Sequence, residues 1–294
     1  MASPSSSLYG GPYTHITLTP PSDSDGVVVL TLGREPVNTM DSALWGELTR
    51  ALAGLEAAHT AGLARGKPAS HPFYPRAVVI ESGLRRDVFT AGNDIGELYA
   101  PATSQAAYTA FWVLQNAFLA RLLVSPLATV AAIRGACPAG GCALALCCDA
   151  RLLLEGPAAA IGLNEVALGI PVPKMWAALL ARVVGQAPAE RLCMGAVLVK
   201  AREAAAMGLV DGLVAGDAGA LRAAGVASAR ALVRAGPDAG RAATKLGSRA
   251  EFAVAWAAYA PGEAAGAWAM LASPGTIAAL KRVMDRLGSK KSKL

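Results

Sequence analysis

Apolar residues along the chain follow two alternating patterns, short β-branched runs and longer segments with helical spacing. The short runs are bounded by Gly, Pro or polar residues and predict buried β-strands. The longer segments predict helices packed on one face, as where Leu44, Leu48 and Leu52 recur every four residues. Strands that alternate with helices indicate an α/β domain. We predict strands over 27–32, 77–80, 127–133 and 151–154, and helices over about 41–58, 106–123 and 140–148.

The two ends of the chain and one internal segment differ from this alternating region. Residues 60–76 carry Gly, Pro and Ser and predict an exposed loop. Beyond about residue 188 the chain is Ala-rich and predicts helices. Those helices are expected to end at Gly236-Pro237, Pro261-Gly262 and Pro274-Gly275. We divide the chain into a flexible N-terminal segment (1–25), an α/β core (26–210), a helical C-terminal region (211–291) and a terminal tripeptide (292–294).

Composition and charge narrow the class of protein. Hydrophobic residues make up 54% of the chain and charged residues 16%, which excludes disorder over most of its length. The net charge of +6 favours a partner that carries phosphate, but does not choose among a nucleotide-like cofactor, nucleic acid and an anionic membrane. The basic residues are spread along the chain without an aromatic RNA-binding motif, so nucleic acid is not expected. No segment predicts a membrane-spanning helix.

The cysteines predict a reducing compartment. There are five, an odd number, and Cys147 is adjacent to Cys148, which does not suit a disulfide framework. The three histidines all lie upstream of the cysteine-rich stretch 137–148, so we expect buried thiols there and no metal site.

Two glycine turns carry candidate chemistry. Ala91-Gly92-Asn93 and Ala139-Gly140-Gly141 each lie beside the start of a predicted helix. Glycine lets backbone N–H groups approach a ligand closely, and the first N–H groups of a helix lack internal partners. Two such turns that face each other would supply paired donors to an oxyanion. Glycine also marks turns with a purely structural role, so these residues alone leave both interpretations open.

Glu165 is a lone carboxylate among the apolar residues of the segment 161–171. Desolvation there would favour the neutral acid and raise its pKa toward the working range of a general base. The alternative is a solvated loop glutamate flanked by core residues, because most glutamates are exposed.

Three motifs together resemble the crotonase (enoyl-CoA hydratase/isomerase) superfamily in order and spacing. They are Phe89–Asp94, Gly140-Gly141-Cys142 at the start of a helix, and the Glu165 segment that ends in Leu168-Gly169-Ile170. The resemblance covers about residues 26–235. Within the superfamily, the segments 135–142 and 161–170 are most similar to the mitochondrial-type Δ3,Δ2-enoyl-CoA isomerases. It implies a crotonase-like ββα spiral core, of class α/β, with a helical C-terminal trimerisation region.

The resemblance also implies roles for single residues. The backbone N–H groups of Asn93 and Gly140 would form the oxyanion hole for a thioester oxygen, and Glu165 would be the catalytic residue. Hydratases of the family carry a second glutamate three residues after the second oxyanion-hole glycine, and Ala143 stands there. Alanine cannot activate water, which argues against efficient hydration. The substrate-binding positions carried over are Ala91, Gly92, Asp94, Ile95, Gly141, Leu163 and Pro171.

With a single glutamate, the resemblance implies a Δ3,Δ2-enoyl-CoA isomerase of fatty acid β-oxidation. Its substrate would be an acyl-CoA thioester, and no metal or redox cofactor would be needed. The alternatives are an enoyl-CoA hydratase or dienoyl-CoA isomerase of the same superfamily, or a non-catalytic acyl-CoA- or RNA-binding homologue. Dienoyl-CoA isomerases use a further acidic residue in the pocket, which the sequence does not identify.

Several residues beside these motifs have two interpretations. Asp94 is expected to cap the following helix rather than to act on substrate. An apolar stripe on the helix over 106–123 lines an acyl pocket or belongs to the core, and its helical spacing favours the core. The residues of that stripe are Phe111, Trp112 and Leu114. In the segment after Glu165, Pro171, Pro173 and Trp176 are expected to bound the tunnel that holds the acyl chain.

The chain finishes in Ser292-Lys293-Leu294, the tripeptide that peroxisomal import receptors recognise. The adjacent Lys290 and Lys291 fit an exposed tail. We therefore expect the matrix of a peroxisome or related microbody, with the import receptor as a partner. The family resemblance implies a homotrimer or hexamer.

Overall fold

The computed structural model describes residues 8–21, 25–64 and 74–291. The terminal tripeptide and most of the predicted loop over 60–76 lie outside the described residues. A six-stranded sheet forms the centre, and a smaller three-stranded sheet lies beside it. The larger sheet has the order β1 (Ile16–Thr19), β2 (Val27–Leu32), β3 (Ala77–Ser82), β4 (Ala128–Ile133), β6 (Ala150–Leu154) and β9 (Gly212–Val214). The smaller sheet has the order β5 (Ala136–Pro138), β7 (Ala160–Gly162) and β8 (Val199–Lys200).

Helices cover the larger sheet and form most of the second half of the chain. A short 3-10 helix, Glu165–Leu168, follows β7. The α-helices within the described residues are α1 (Ser42–Ala64), α2 (Ile95–Leu98), α3 (Gln105–Leu123), α4 (Gly140–Cys147), α5 (Lys174–Val184), α6 (Gln186–Met194), α7 (Ala201–Ala206), α8 (Ala218–Arg234), α9 (Asp238–Leu271) and α10 (Pro274–Lys291).

The central strands are apolar on both faces because both faces are covered. In the described part of the larger sheet, β2, β3, β4, β6 and β9 run parallel, and β1 pairs antiparallel with β2. Val79 and Val130 point toward α8, where Gly225 lets the helix backbone approach the sheet closely. Val78 and Ile80 point the other way, into the main core with α1 and α3. Continuous apolar runs are typical of strands in such a covered parallel sheet.

Asn116 holds three helices together beside the site. Its side-chain oxygen accepts hydrogen bonds from Trp176 of α5 at 3.1 Å and from Trp256 of α9 at 2.8 Å. Its amide nitrogen donates to the Trp112 carbonyl within α3 at 2.8 Å. All of these groups are buried, so each polar atom depends on the others for its partner. The network fixes Trp176, whose side chain lines the cavity described below together with that of Trp112.

The C-terminal helices are longer than predicted. The expected break at Pro261-Gly262 is wrong, because α9 continues through Pro261. Proline frees the carbonyl of residue 257, and both Ala257 and Pro261 are exposed, so water can satisfy that group. Meanwhile Trp256, Ala260 and Ala264 bury the opposite face of α9. This packing offsets the local cost of proline.

Other boundaries also differ from the predictions. The N-terminal segment is not flexible throughout 1–25, because β1 pairs with β2 and buries Ile16 and Leu18. A strand with only two apolar positions gives too weak a pattern to detect. The helix α1 continues to Ala64 rather than ending near 58, and the larger sheet continues past 210 into β9.

Candidate active site

A cavity of about 270 Å³ lies where the two glycine turns, the 3-10 helix after β7, and the helices α3, α9 and α10 meet. Its lining is mostly apolar, with a few polar groups that include Glu165 and Asn93. A largely apolar pocket with a small number of convergent polar groups is the usual form of a small-molecule site.

Glu165 is the buried acid of this cavity. It begins the 3-10 helix, and only 4% of its surface is exposed. Neither carboxylate oxygen has a hydrogen-bond partner among the described residues. Burial raises its pKa from 4.5 to about 7, while a hydrogen bond from its own backbone N–H opposes the shift. A carboxyl group with this pKa can both accept and donate a proton near neutral pH.

The first glycine turn is fixed by a short parallel bridge to Met40. The Met40 N–H donates to the Gly92 carbonyl at 2.9 Å, and the Asp94 N–H donates to the Met40 carbonyl at 3.1 Å. Because N–H groups alternate in direction along an extended chain, the intervening Asn93 N–H points away from this bridge. It is therefore available to a ligand on the other side.

The second turn presents the start of α4. The Ala139 N–H donates to the Gly162 carbonyl at 2.9 Å, and the first helical bond runs from the Ala143 N–H to the Ala139 carbonyl at 3.0 Å. Gly140 is the first helical residue, so its N–H has no partner inside the helix. Ala139 adopts φ 51° and ψ −123°, a backbone conformation rare for a residue with a side chain. Such strain is characteristic of functional turns.

The two turns meet closely. A Cβ placed on Gly140 would lie 2.6 Å from the Asn93 side-chain oxygen, and one placed on Gly92 would lie 3.9 Å from the Gly140 nitrogen. Gly92 itself has φ +85°, which glycine adopts without strain. Glycine at these positions therefore allows two backbone donors to converge near the buried acid.

The predicted site residues divide into two groups. Five line the cavity: Ala91, Asn93, Ile95, Glu165 and Pro171.

The remaining predicted residues are not among those that line the cavity. Gly92 and Gly140 shape the turns. Asp94 caps α2, as expected, by accepting from the Gly96 N–H at 2.7 Å. Gly141 packs against Thr90, where a Cβ would lie 2.2 Å from the Thr90 methyl carbon. Leu163 is a core residue with 1% of its surface exposed.

The structure also distinguishes pocket from core among the residues that had two interpretations. Trp112 lines the cavity, whereas Phe111 is a core residue and Leu114 borders a shallow groove elsewhere on α3. Pro173 and Trp176 line the cavity with Pro171, as expected.

Sequence reasoning missed the contribution of the C-terminal helices. Glu263, Met270 and Leu271 of α9 and Val283 of α10 line the cavity, as does Tyr108 of α3. Glu263 is the one carboxylate besides Glu165 among the lining residues. The α9 and α10 residues lie about a hundred positions after the Glu165 segment, and no local pattern connects them to the site.

Two buried thiols, Cys142 and Cys193, lie near the acid and are held in the protonated form. Burial raises the pKa of Cys142 and Cys193, and the charge of Glu165 raises both further. Within the described ranges, no group of three His, Cys, Asp or Glu side chains is arranged to hold a metal ion. None of the described helices is long and apolar enough to cross a membrane.

Comparisons with known proteins point to one family. The family profile described as "Enoyl-CoA hydratase/isomerase" matches residues 22–254. The human protein described as "Enoyl-CoA delta isomerase 1, mitochondrial" is 36% identical over 197 residues, which are 67% of this chain and 60% of that protein. Its mouse counterpart is 34% identical over 192 residues, 65% of this chain and 61% of that protein. The matched region thus spans about 60% of the length of these relatives.

Solved structures resemble the fold over most of the chain. The crystal structure of human mitochondrial delta3-delta2-enoyl-CoA isomerase has a TM-score of 0.80 at 29% identity, covering 95% of this chain and 100% of that chain. An enoyl-CoA hydratase/isomerase from Xanthobacter autotrophicus Py2 has a TM-score of 0.72 at 26% identity, covering 92% of each chain.

Proposed function

Because the chain belongs to the enoyl-CoA hydratase/isomerase family, we propose that it is a Δ3,Δ2-enoyl-CoA isomerase of fatty acid β-oxidation. The observation that carries the proposal is a single buried carboxylate, Glu165, beside two turns with available N–H groups. Ala143 supports it, because this residue is fully buried in α4 where the family's hydratases carry their second glutamate. The printed names of the human and mouse relatives support the same activity.

The proposed reaction is a proton transfer between two carbons. The thioester oxygen of a 3-enoyl-CoA accepts hydrogen bonds from the Asn93 and Gly140 N–H groups. Glu165 removes a proton from C2, and the electron pair moves onto the thioester oxygen to give a dienolate. The same carboxylic acid then returns a proton to C4, and the double bond forms between C2 and C3. One oxyanion donor of this kind is typically worth about 10²–10³ in rate.

The environment of Glu165 suits both halves of this transfer. With a pKa of about 7, the group is a stronger base than an exposed glutamate and a competent acid once protonated. The apolar cavity limits the access of water, which would otherwise protonate the dienolate. The transfer needs no metal or redox cofactor, and coenzyme A enters as part of the substrate.

Dienoyl-CoA isomerisation is a second candidate, because Glu263 supplies another acid in the cavity. Its two oxygens are already engaged, one by the Trp112 indole N–H at 3.1 Å and the other by the Lys174 N–H at 2.8 Å. A carboxylate held in this way favours binding over proton transfer, so the Δ3,Δ2 assignment is preferred.

The test is a pair of assays on the purified protein. Formation of the conjugated 2-enoyl thioester from 3-enoyl-CoA is followed by ultraviolet absorbance, beside a hydration assay on 2-enoyl-CoA. The proposal predicts fast conjugation with little hydration. Fast hydration would reveal a water-activating group, and inactivity in both assays would favour a non-catalytic acyl-CoA binder.

Localisation and assembly are further parts of the proposal. The terminal tripeptide supports import into a peroxisome or related microbody through the import receptor. The family relationship supports a homotrimer or hexamer. Met194 and Val254, which are 71% and 69% exposed in the single chain, are candidates for the contact surface. Sedimentation velocity of the purified protein distinguishes a monomer from either assembly.

A further inference from the structure

The cavity has a second polar region, formed by Tyr108 and Glu263. Tyr108 is only 2% exposed and lines the cavity, and its hydroxyl makes no hydrogen bond to another described residue. Glu263 lines the same cavity, and each of its carboxylate oxygens accepts one hydrogen bond, from the Trp112 indole and from the Lys174 backbone. A carboxylate oxygen has two acceptor positions, so both retain capacity. The region therefore offers an uncommitted donor beside a charged acceptor.

The two groups are close to each other and well fixed. Trp112 links them, because its indole N–H donates to Glu263 and its ring packs against Tyr108. Consistent with this, the charge of Glu263 adds to the effect of burial in raising the pKa of Tyr108. The Tyr108 ring contacts Trp112 and Trp268, with centroid separations of 5.8 Å and 5.9 Å. The two hydrogen bonds to Glu263 hold its carboxylate in one orientation. Preorganised groups of this kind discriminate among ligands because they lose little conformational freedom on binding.

A ladder of aromatic rings places this region away from the reacting carbons. The Trp176 ring begins the ladder, since a Cβ on Gly140 would lie 3.5 Å from it. Trp176 stacks on Trp112 with centroids 5.8 Å apart, and Trp112 contacts Tyr108. An acyl chain that extends from the oxyanion turn along these rings reaches Tyr108 and Glu263 several carbons beyond its double bond.

Building on the proposed function, we propose that Tyr108 and Glu263 bind a hydroxyl group carried on the distal part of the acyl chain. A hydroxyl both donates and accepts, so it can donate to Glu263 and accept from the Tyr108 O–H. An unsubstituted alkyl chain leaves the Tyr108 O–H without a partner and the remaining acceptor positions of Glu263 unfilled in an apolar cavity, which is costly. A distal carboxylate has no proton to donate to Glu263. The preferred substrates are therefore hydroxylated enoyl-CoA thioesters.

Binding of unreactive ligands tests this subsite without requiring turnover. Saturated acyl-CoAs ending in a methyl group are compared by calorimetry with their ω-hydroxy counterparts over a series of chain lengths. At the matching length, the wild-type protein should bind the hydroxylated chain roughly tenfold more tightly, as expected for a hydrogen bond to a charged group. Tyr108→Phe should remove most of this preference. Tyr259→Phe, which changes an exposed tyrosine of α9, should retain it.

Equal affinity for both chains at every length, or a preference for the methyl-ended chain, would overturn the subsite; so would a preference that survives Tyr108→Phe. Failure of the isomerase assignment would appear separately, as absent conjugation of 3-enoyl-CoA with the binding preference intact.

Discussion

Replacing Glu165 with Gln should abolish isomerisation and stabilise the protein at the same time. Glutamine has nearly the same shape but cannot accept the C2 proton, so we expect kcat to fall by about 10²–10⁴ or more. In the wild-type protein, kcat/KM should rise with pH and level off above about 7, where the carboxyl is ionised. Acyl-CoA binding should survive, because the oxyanion turns are unchanged.

The gain in stability follows from the buried charge. Burial raises the pKa of Glu165 from 4.5 to about 7, so the fold favours the neutral acid. Each pH unit between these values corresponds to about 1.4 kcal/mol. Ionised Glu165 therefore costs the folded state about 3 kcal/mol above pH 7, and the cost fades as pH falls toward 4.5. With 4% exposure, solvent screens this cost little.

Urea unfolding at pH 8 and pH 5 measures the effect. Glu165→Gln should be more stable than the wild-type protein by up to about 3 kcal/mol at pH 8, and most of the difference should vanish at pH 5. Glu251→Gln, which changes an exposed glutamate of α9, is the matched control and should shift neither stability nor activity. Equal stability at both pH values together with retained turnover would refute the role assigned to Glu165.

Three other predictions concern packing and targeting. Gly141→Ala should destabilise the fold by about 1–3 kcal/mol and reduce activity, because the new Cβ would lie 2.2 Å from the Thr90 methyl carbon. Gly240→Ala, with open space around it, should do neither. Melting temperatures lowered equally by the two substitutions would contradict the contact. Asn116→Leu should lower the free energy of unfolding by about 2 kcal/mol or more, because it leaves two buried indole N–H groups unpaired; circular dichroism in urea checks this, and unchanged stability would disprove it. Removal of residues 292–294 should leave activity intact but prevent import of a fluorescent fusion, and import that persists would exclude the tripeptide as the signal.

The core was predictable because its signals are local. The strands are continuous apolar runs, and the predicted crotonase-like fold with a helical C-terminal region is confirmed by the family profile and the solved relatives. The Glu165 segment and the glycine turns could be located because each needs a particular residue at a particular position. Their catalytic roles stay predictions until activity is measured.

The remainder of the site depends on tertiary packing. Glu263 reaches the cavity only because α9 runs along α3 without stopping at Pro261, where proline predicted a break. Tyr108 belongs to the same apolar stripe of α3 as core residues, and its sequence position does not show that it lines a cavity. The contributions of Glu263 and Tyr108 to the cavity leave no periodic or local pattern in the sequence.

The central claim, that Glu165 carries one proton from C2 to C4, is tested most directly with 3-enoyl-CoA deuterated at C2. The reaction is run in ordinary water and the 2-enoyl product is analysed for deuterium at C4. A single buried carboxyl that exchanges slowly with water should deliver a substantial share of the label to C4. The account would be contradicted if the wild-type product carried only solvent hydrogen at C4 and the Glu165→Gln variant formed product at the same rate.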